Sequence, residues 1–381
     1  MEFRKRIDAH IHYALPLEPE TLIDLMDKTG TEMANLVLVP HRKRLTAVPD
    51  ALMAKAKYPD RFYVFTSFDV SEYYRHGKEV GTYMADFIEN MRKCGCDGLK
   101  IIEGKPSMRK FMAIPDFDLP CWEPLWEYAE KTQLPILWHV NDPETYWDPA
   151  RVPAYAKAAG ELYDDSFINN EVQYAQVERI LQKHPNIKII FAHFYFMSAQ
   201  LLRLAKLLDT YPNIMVDLTP GREIYENLSV DTEASKAFFE KYQDRIIYGT
   251  DIGARCVLAD GQKPFSEEES LARIELIDGL LTAGTDRIMK ADGRYLVNTE
   301  DFVLRGIPLS EEILEKIYRR NFLRYVGAPA PVNPRRIIKE CKRICLMLKI
   351  MALFDKNLQG DDTCAKNAQA FFNKQRKRIK Q

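Results

Sequence analysis

The segment Asp8-Ala9-His10-Ile11-His12 closes an apolar stretch with two histidines one residue apart. Alternate residues of a strand share a face, so a strand here aims both imidazoles at one point. Neutral imidazoles converging on one point are a grip for a divalent metal. Two hydrogen-bonded core histidines would read the same, so the other candidate ligands decide between the readings. Lys100 lies in the run Cys96 to Gly104, His139 in Leu134 to Asn141, His193 in Ile187 to Phe194, and Asp251 ends Arg245 to Asp251. Four of the seven histidines thus stand at the C-terminal ends of strand-like runs, where buried positions are apolar by default. His41, His76 and His184 sit in loop or helix-end contexts and are left out of the site. A cation held by imidazoles and a carboxylate, with one position open, brings the pKa of water towards ~7. Asp251 can take that proton, and His193, with an ordinary pKa near ~6.5, can protonate a leaving group or polarise a carbonyl.

These residues need a frame that gathers strand ends. Eight apolar runs read as strands: Phe3 to His12, Met33 to Pro40, Phe62 to Val70, Cys96 to Gly104, Leu134 to Asn141, Ile187 to Phe194, Asn213 to Thr219 and Arg245 to Asp251. Most are continuous and not alternating, as in strands covered on both faces of a parallel sheet. Helical stretches lie between them, the clearest with Val80, Tyr83, Met84, Phe87, Ile88 and Met91 at spacings of three and four. Another follows Ser266, with Glu269 placed for a capping box.

Alternation over this length predicts a distorted (β/α)8 TIM-type barrel over 1–328, and no glycine-rich loop follows the first strand to favour a dinucleotide fold. Insertions after strands four (Lys105 to Pro120), five (Asp142 to Asn170) and eight (Ile252 to Phe265) fall where barrel enzymes build substrate walls. Ser310 to Val326 reads as a helix, a proline-rich linker follows, and 329–381 reads as an appended helical extension.

With 381 residues, 46% hydrophobic, the chain can bury a large core. Its net charge of −1 hides an asymmetry, since from Arg335 onward 13 Lys and Arg face 4 Asp and Glu, leaving the first 334 residues at −10. A basic tail suits nucleic acid or anionic lipid, but docking on the acidic body accounts for it as simply. Seven scattered cysteines and no signal-like start point to a reduced, cytoplasmic protein, with Cys94-Gly95-Cys96 as a turn entering a strand. The run Ile344 to Phe354, interrupted by Lys349, is far short of the ~20 residues a membrane span needs, so no membrane partner is expected.

The strings Asp8-Ala9-His10-Ile11-His12, Leu137-Trp138-His139-Val140-Asn141-Asp142-Pro143, Phe191-Ala192-His193, Tyr248-Gly249-Thr250-Asp251 and Ile317-Tyr318-Arg319-Arg320-Asn321-Phe322-Leu323-Arg324 occur in this order at the expected strand ends. In them the chain resembles the amidohydrolase superfamily over about residues 3–327. The likeness is to its amidohydrolase-2 branch of metal-dependent hydrolases and relatives of aminocarboxymuconate-semialdehyde decarboxylase. The resemblance implies one divalent metal, usually zinc with manganese as the alternative, held by His10, His12, His139 and Asp251. It places His193 beside the metal as acid/base or substrate contact, and it implies a homodimer.

Lys100 has three readings: a carbamylated lysine bridging two metals, a partner for a substrate carboxylate, or an internal ion pair with Glu103, which alternation would turn away. The resemblance favours one metal. Arg42 is a candidate carboxylate clamp or part of a solvated basic loop. Trp138, with Tyr146 and Trp147, lines a pocket for a cyclic substrate or belongs to the core. Where decarboxylase relatives place glycines after the strand-six histidine, this chain has Phe194-Tyr195-Phe196-Met197. The expected activity is therefore hydrolysis of a small-molecule amide, ester or lactone, with non-hydrolytic decarboxylation of a carboxylated cyclic or enol acid as the alternative. Lys100 at the strand-four position and the acidic body argue against a nucleic-acid substrate, and a barrel serving only as an assembly subunit would have no use for five site residues.

Overall fold

The apolar runs become the parallel strands β1 (Arg6–His12), β2 (Thr31–Val37), β3 (Phe62–Thr66), β4 (Gly98–Gly104), β5 (Ile136–Val140), β6 (Ile189–Phe191), β7 (Ile214–Asp217), β8 (Ile246–Ile247) and β9 (Ile252–Gly253). They are hydrogen-bonded in the order β8-β7-β6-β5-β4-β3-β2-β1-β9. These elements come from a computed structural model that describes residues 4–14, 17–41, 43–69, 76–253, 266–289, 301–354 and 360–379.

The eighth expected strand is divided. Its start, Ile246–Ile247, pairs with β7, and the pairing with β1 falls at Ile252–Gly253, just past its expected end, so both ends of the sheet are one stretch of chain and the sheet curls into a barrel. The Ala9 N–H donates to the Tyr248 carbonyl at 3.1 Å and the Asp251 N–H to the His10 carbonyl at 2.8 Å, carrying β1 along this seam. Gly253 lies so close to β1 that a Cβ there would stand 2.1 Å from the His12 carbonyl oxygen.

Helices α1 (Pro19–Lys28), α2 (Val48–Lys57), α3 (Val80–Cys94), α4 (Glu123–Thr132), α5 (Asn170–Lys183), α6 (Leu201–Thr210) and α7 (Thr232–Lys241) separate successive strands, and α8 (Glu267–Thr282) follows β9. In α3 the expected face is buried, with Tyr83 at its exposed edge, and Gly95 ends the helix at φ 118°, the left-handed value glycine accepts freely. The Ser310 to Val326 helix contains a π turn at Lys316–Arg320, and the Ile317 carbonyl within it accepts from the Tyr248 N–H of strand eight.

Two apolar layers follow from the strand alternation. Ile7, Ala9, Val37, Tyr63, Phe65, Leu137, Ile190, Met215 and Ile247 fill the barrel interior, with Phe322 and Tyr325 in the same cluster. Their outward neighbours, among them Leu36, Val64, Ile101, Trp138 and Phe191, meet the helices.

The basic extension docks on its own barrel. α9 (Pro334–Phe354) buries Ile337, Ile338, Cys341, Ile344 and Leu348 and packs on α3, while α10 (Thr363–Ile379) packs on α2. Arg343 of the extension pairs with Asp69 of the barrel at 2.8 Å, in the sense that the charge asymmetry anticipates, while Arg44 of the barrel pairs with Asp361 of the extension at 2.9 Å in the opposite sense. The six described cysteines are all free thiols. Among the described residues no helix is long and apolar enough to cross a membrane.

Candidate active site

A bulge in β1 sets the site. Its pairing with β2 steps from Asp8 opposite Ala34 to Ile11 opposite Leu36, one residue more on β1 than on its partner. The extra residue reverses the alternation: Ile7 and Ala9 face the interior before it, His10 and His12 after it, and Ile11 joins the outer core. His10 and His12 then lie with ring centroids 5.1 Å apart. Asp251 meets them across the seam, its Oδ1 at 3.0 Å from His12 Nε2 and 3.6 Å from His10 Nε2. One ligand atom from each of these three residues falls within a 4.8 Å group.

The charge states suit a cation. Burial holds the His10, His139 and His193 imidazoles well below their ordinary value, so each is neutral at pH 7. Burial alone would raise the Asp251 carboxyl, but the hydrogen bond from His12 and the neighbouring imidazoles override it and hold the group well below the usual carboxylate range. His12 Nδ1 is buried without a hydrogen-bond partner. Two imidazoles and an ionised carboxylate converging within one group form a donor set that fits a catalytic divalent metal.

Asp217, at the end of β7, fixes the tautomers. Its Oδ2 lies 2.9 Å from His10 Nδ1, and its Oδ1 accepts from the His193 N–H at 2.8 Å, the Thr219 N–H at 3.1 Å and the Thr219 hydroxyl at 2.6 Å. Burial raises its pKa, but its Oδ1 faces three donors, and the Lys100 ammonium at His10 Nε2 leaves Nδ1–H to donate to Oδ2, so both oxygens accept and the group stands as a carboxylate. His10 therefore carries its proton on Nδ1 and offers the Nε2 lone pair. That lone pair now accepts from Lys100 Nζ at 2.9 Å. The Thr219 hydroxyl, spent on Asp217, accepts from His193 Nδ1 at 3.1 Å, which leaves His193 Nε2 as a proton acceptor.

Asp8 works from the other side of β1. Its carboxylate accepts the His10 N–H at 3.0 Å, the Thr250 N–H at 3.1 Å and the Thr250 hydroxyl at 2.5 Å, tying the histidine strand to the residue before Asp251. Neither Asp8 nor Asp217 was singled out by sequence reasoning. The signal for Asp217 was present, a carboxylate at a strand C-terminus in Ile214-Met215-Val216-Asp217.

His193 reaches the site by an unusual backbone. Ile190 and Ala192 face inward, so the next residue would face out. Residues His193, Phe194, Tyr195 and Phe196 instead run at φ 56°, 54°, 57° and 52°, a left-handed turn that costs side-chain-bearing residues ~1–2 kcal/mol each. Packing holds it: Tyr195 stacks on Phe191 at 3.8 Å, Phe194 on Phe239 at 5.9 Å and Phe196 on His193 at 5.2 Å. The His193 ring comes to 5.7 Å from His10 and 4.8 Å from His139. This is the segment where glycines were missed in the sequence.

Other expected residues fall differently. His139 faces inward near His193, but its Nε2 turns to Asp142 Oδ1 at 3.4 Å, within a cluster in which Lys105 pairs with Asp142 and Glu161 and the Tyr163 hydroxyl donates to Asp142. It stands outside the three-residue group. Lys100 is fully buried, and burial pulls its ammonium down to about 8. Glu103, expected to face away from it, contributes to its electrostatics because the β4–β5 register shifts between Ile101 and Gly104 and breaks the odd-even count. Trp138 falls with the outer core: alternation opposite Leu137 and His139 turns it outward, fully buried, 5.2 Å from Trp126 and 5.0 Å from Phe117. Arg42 and most of the expected wall after strand eight, 254–265, lie outside the described residues.

Comparison with known proteins bears on this arrangement. The family model described as amidohydrolase matches residues 80–327. No curated protein matches the chain. Among solved structures, a Staphylococcus aureus protein assigned to the amidohydrolases is 16% identical with a TM-score of 0.52, covering 85% of this chain and 100% of that one. An amidohydrolase II structure is 15% identical with a TM-score of 0.51, covering 84% and 99%. An uncharacterized TIM-barrel protein from Bordetella bronchiseptica is 12% identical with a TM-score of 0.50, covering 85% and 99%. At these identities the likeness is one of fold.

Proposed function

Because the chain belongs to the amidohydrolase family, we propose that it is a metal-dependent hydrolase acting on a small-molecule amide, ester or lactone. The observation that carries this reading is the meeting of His10 Nε2, His12 and an ionised Asp251 inside the barrel mouth, with the His10 tautomer set by Asp217. A divalent cation, zinc or manganese, supplies Lewis acidity there and acidifies water at neutral pH. His10, His12 and Asp251 would hold it, with His139, which now faces Asp142, as the further candidate ligand.

Around that centre the side chains divide the remaining work. His193 Nε2, with Nδ1–H spent on Thr219, accepts a proton from the attacking group and returns it to the leaving group. Lys100, whose Nζ lies 2.9 Å from His10 Nε2, is placed to donate to a substrate oxygen. Phe196, stacked on His193, supports the catalytic ring.

The test joins metal analysis to isotope labelling. Purified protein should hold one equivalent of zinc or manganese, His10→Ala should lose both metal and turnover, and products of an amide, ester and lactone panel formed in H2-18O should carry label. Release of CO2 without label would move the assignment to decarboxylation on the same centre. Metal retained at full stoichiometry after His10→Ala would overturn the site itself.

A further inference from the structure

Strand eight delivers Asp251, and α8 follows it. Ser266 caps α8 by accepting the Glu269 N–H at 3.2 Å, but the Glu269 carboxylate does not complete a capping box. It turns to Arg273 Nε at 2.9 Å. Both side chains are buried, and the guanidinium they place at the barrel mouth points at the tip of strand eight. Arg273 Nη1 lies 3.3 Å from the Thr250 carbonyl, 3.4 Å from the Asp251 carbonyl and 3.5 Å from Asp251 Oδ2.

Asp251 needs such support. Its backbone stands at φ 56°, where a residue with a Cβ is held only by its surroundings. Its N–H is bound by the His10 carbonyl, which leaves its own carbonyl and one carboxylate oxygen to be fixed. Arg273 reaches both. With Oδ2 drawn to Arg273, Oδ1 alone faces His12 and His10. A guanidinium this close to a dication would repel it, and the Glu269 carboxylate offsets that charge. The planar guanidinium divides its donors, Nε to Glu269 and Nη1 to the tip of strand eight, whereas an ammonium offers a single point.

We propose that Arg273, neutralised by Glu269, is the positioning residue that fixes the left-handed Asp251 and presents one carboxylate oxygen to the cation. The proposal rests on the metal-centre reading above. It assigns a role in metal geometry to a helix that contributes no ligand.

The experiment measures Co2+ and Zn2+ affinity of chelator-stripped protein by competition with a chromophoric chelator, together with the absorption bands of the Co2+ form. Arg273→Met is expected to weaken affinity 10–100-fold, the range seen when a partner of a metal ligand is removed, and to change the Co2+ bands. Arg273→Lys recovers only part of the affinity. Added guanidinium restores the Arg273→Ala protein, a rescue that a merely structural role would not give. Should the Met and Ala variants fail to fold, Glu269→Gln decides, with a several-fold loss of affinity expected from the uncompensated guanidinium. Wild-type affinity and unchanged Co2+ bands in Arg273→Met, or in Glu269→Gln where that variant decides, overturn the proposal while the metal centre stands. A wild-type protein that binds neither cation sinks the metal centre and the proposal together.

Discussion

Replacing Asp217 by Asn tests the tautomer logic of the site with almost no change of shape. The amide must choose an orientation. With its oxygen at Oδ1 it keeps the three donors from His193 and Thr219, and its NH2 faces His10 Nδ1. Flipped, the NH2 would face those three donors, so the first orientation wins by count. His10 must then give up the Nδ1 proton to accept, moving it to Nε2, the atom that points at Lys100 and the other ligands. An Nε2–H cannot bind a cation. Restoring the ligating tautomer would set two donors face to face, at a cost of ~1–3 kcal/mol for a buried group left unsatisfied. That corresponds to roughly 10–100-fold weaker metal binding, in line with the range for lost partners of metal-bound histidines. The assay is chelator competition on stripped Asp217→Asn protein at pH 7, with 15N shifts of the His10 ring reporting which nitrogen is protonated. Affinity within twofold of wild type, or a ring still protonated on Nδ1, would refute the reasoning.

Two further outcomes are expected. Lys100→Met should raise divalent affinity by about tenfold, because the ammonium no longer competes for the His10 lone pair. A drop in affinity, checked by the same competition assay, would instead indicate a lysine that bridges metals. At the α2–α10 contact, burial pushes the Asp50 carboxyl, both of whose oxygens lack a hydrogen-bond partner among the described residues, from 3.8 up to about 6, against the opposing charge of Arg44. The unfolded chain therefore releases this proton near pH 4 while the folded one keeps it to about 6, so stability falls as pH rises through that window. Asp50→Asn should gain on wild type by roughly 3 kcal/mol between pH 4 and pH 6 and no further above it; urea midpoints that run parallel across this range would contradict it.

Much of the architecture was legible because parallel strands covered on both faces leave continuous apolar runs, and because polar side chains at their C-terminal ends stand out. What escaped was parity. The reading that brought His10 and His12 together needed no knowledge of the β1 bulge, since both follow it, but the bulge explains why Ile7 and Ala9 share their face. Trp138 could have been placed correctly, because the alternation that turns His139 inward turns its neighbour out. His193 could not, since its inward approach depends on four successive positive φ values that no propensity of Phe or Tyr suggests. Asp8 and Arg273 act through backbone atoms of other segments, contacts that local sequence does not encode. The divided eighth strand was invisible for a similar reason: one segment serves two neighbours, and hydropathy does not say where it changes allegiance.

That divided strand has a mechanical consequence. The barrel is completed by two-residue pairings on either side of residues 248–251, as short as the β3–β4 ladder and shorter than the others in the wall. His10 and His12 belong to one lip of this join and Asp251 to the other, so an ion shared among them would rivet the staves where two short pairings meet. Emptying the centre should loosen the wall before it loosens the core. Backbone amides of 249–253 would then trade protons with solvent sooner than those of β2 to β6, and occupancy of the catalytic centre would be readable as the tightness of the barrel.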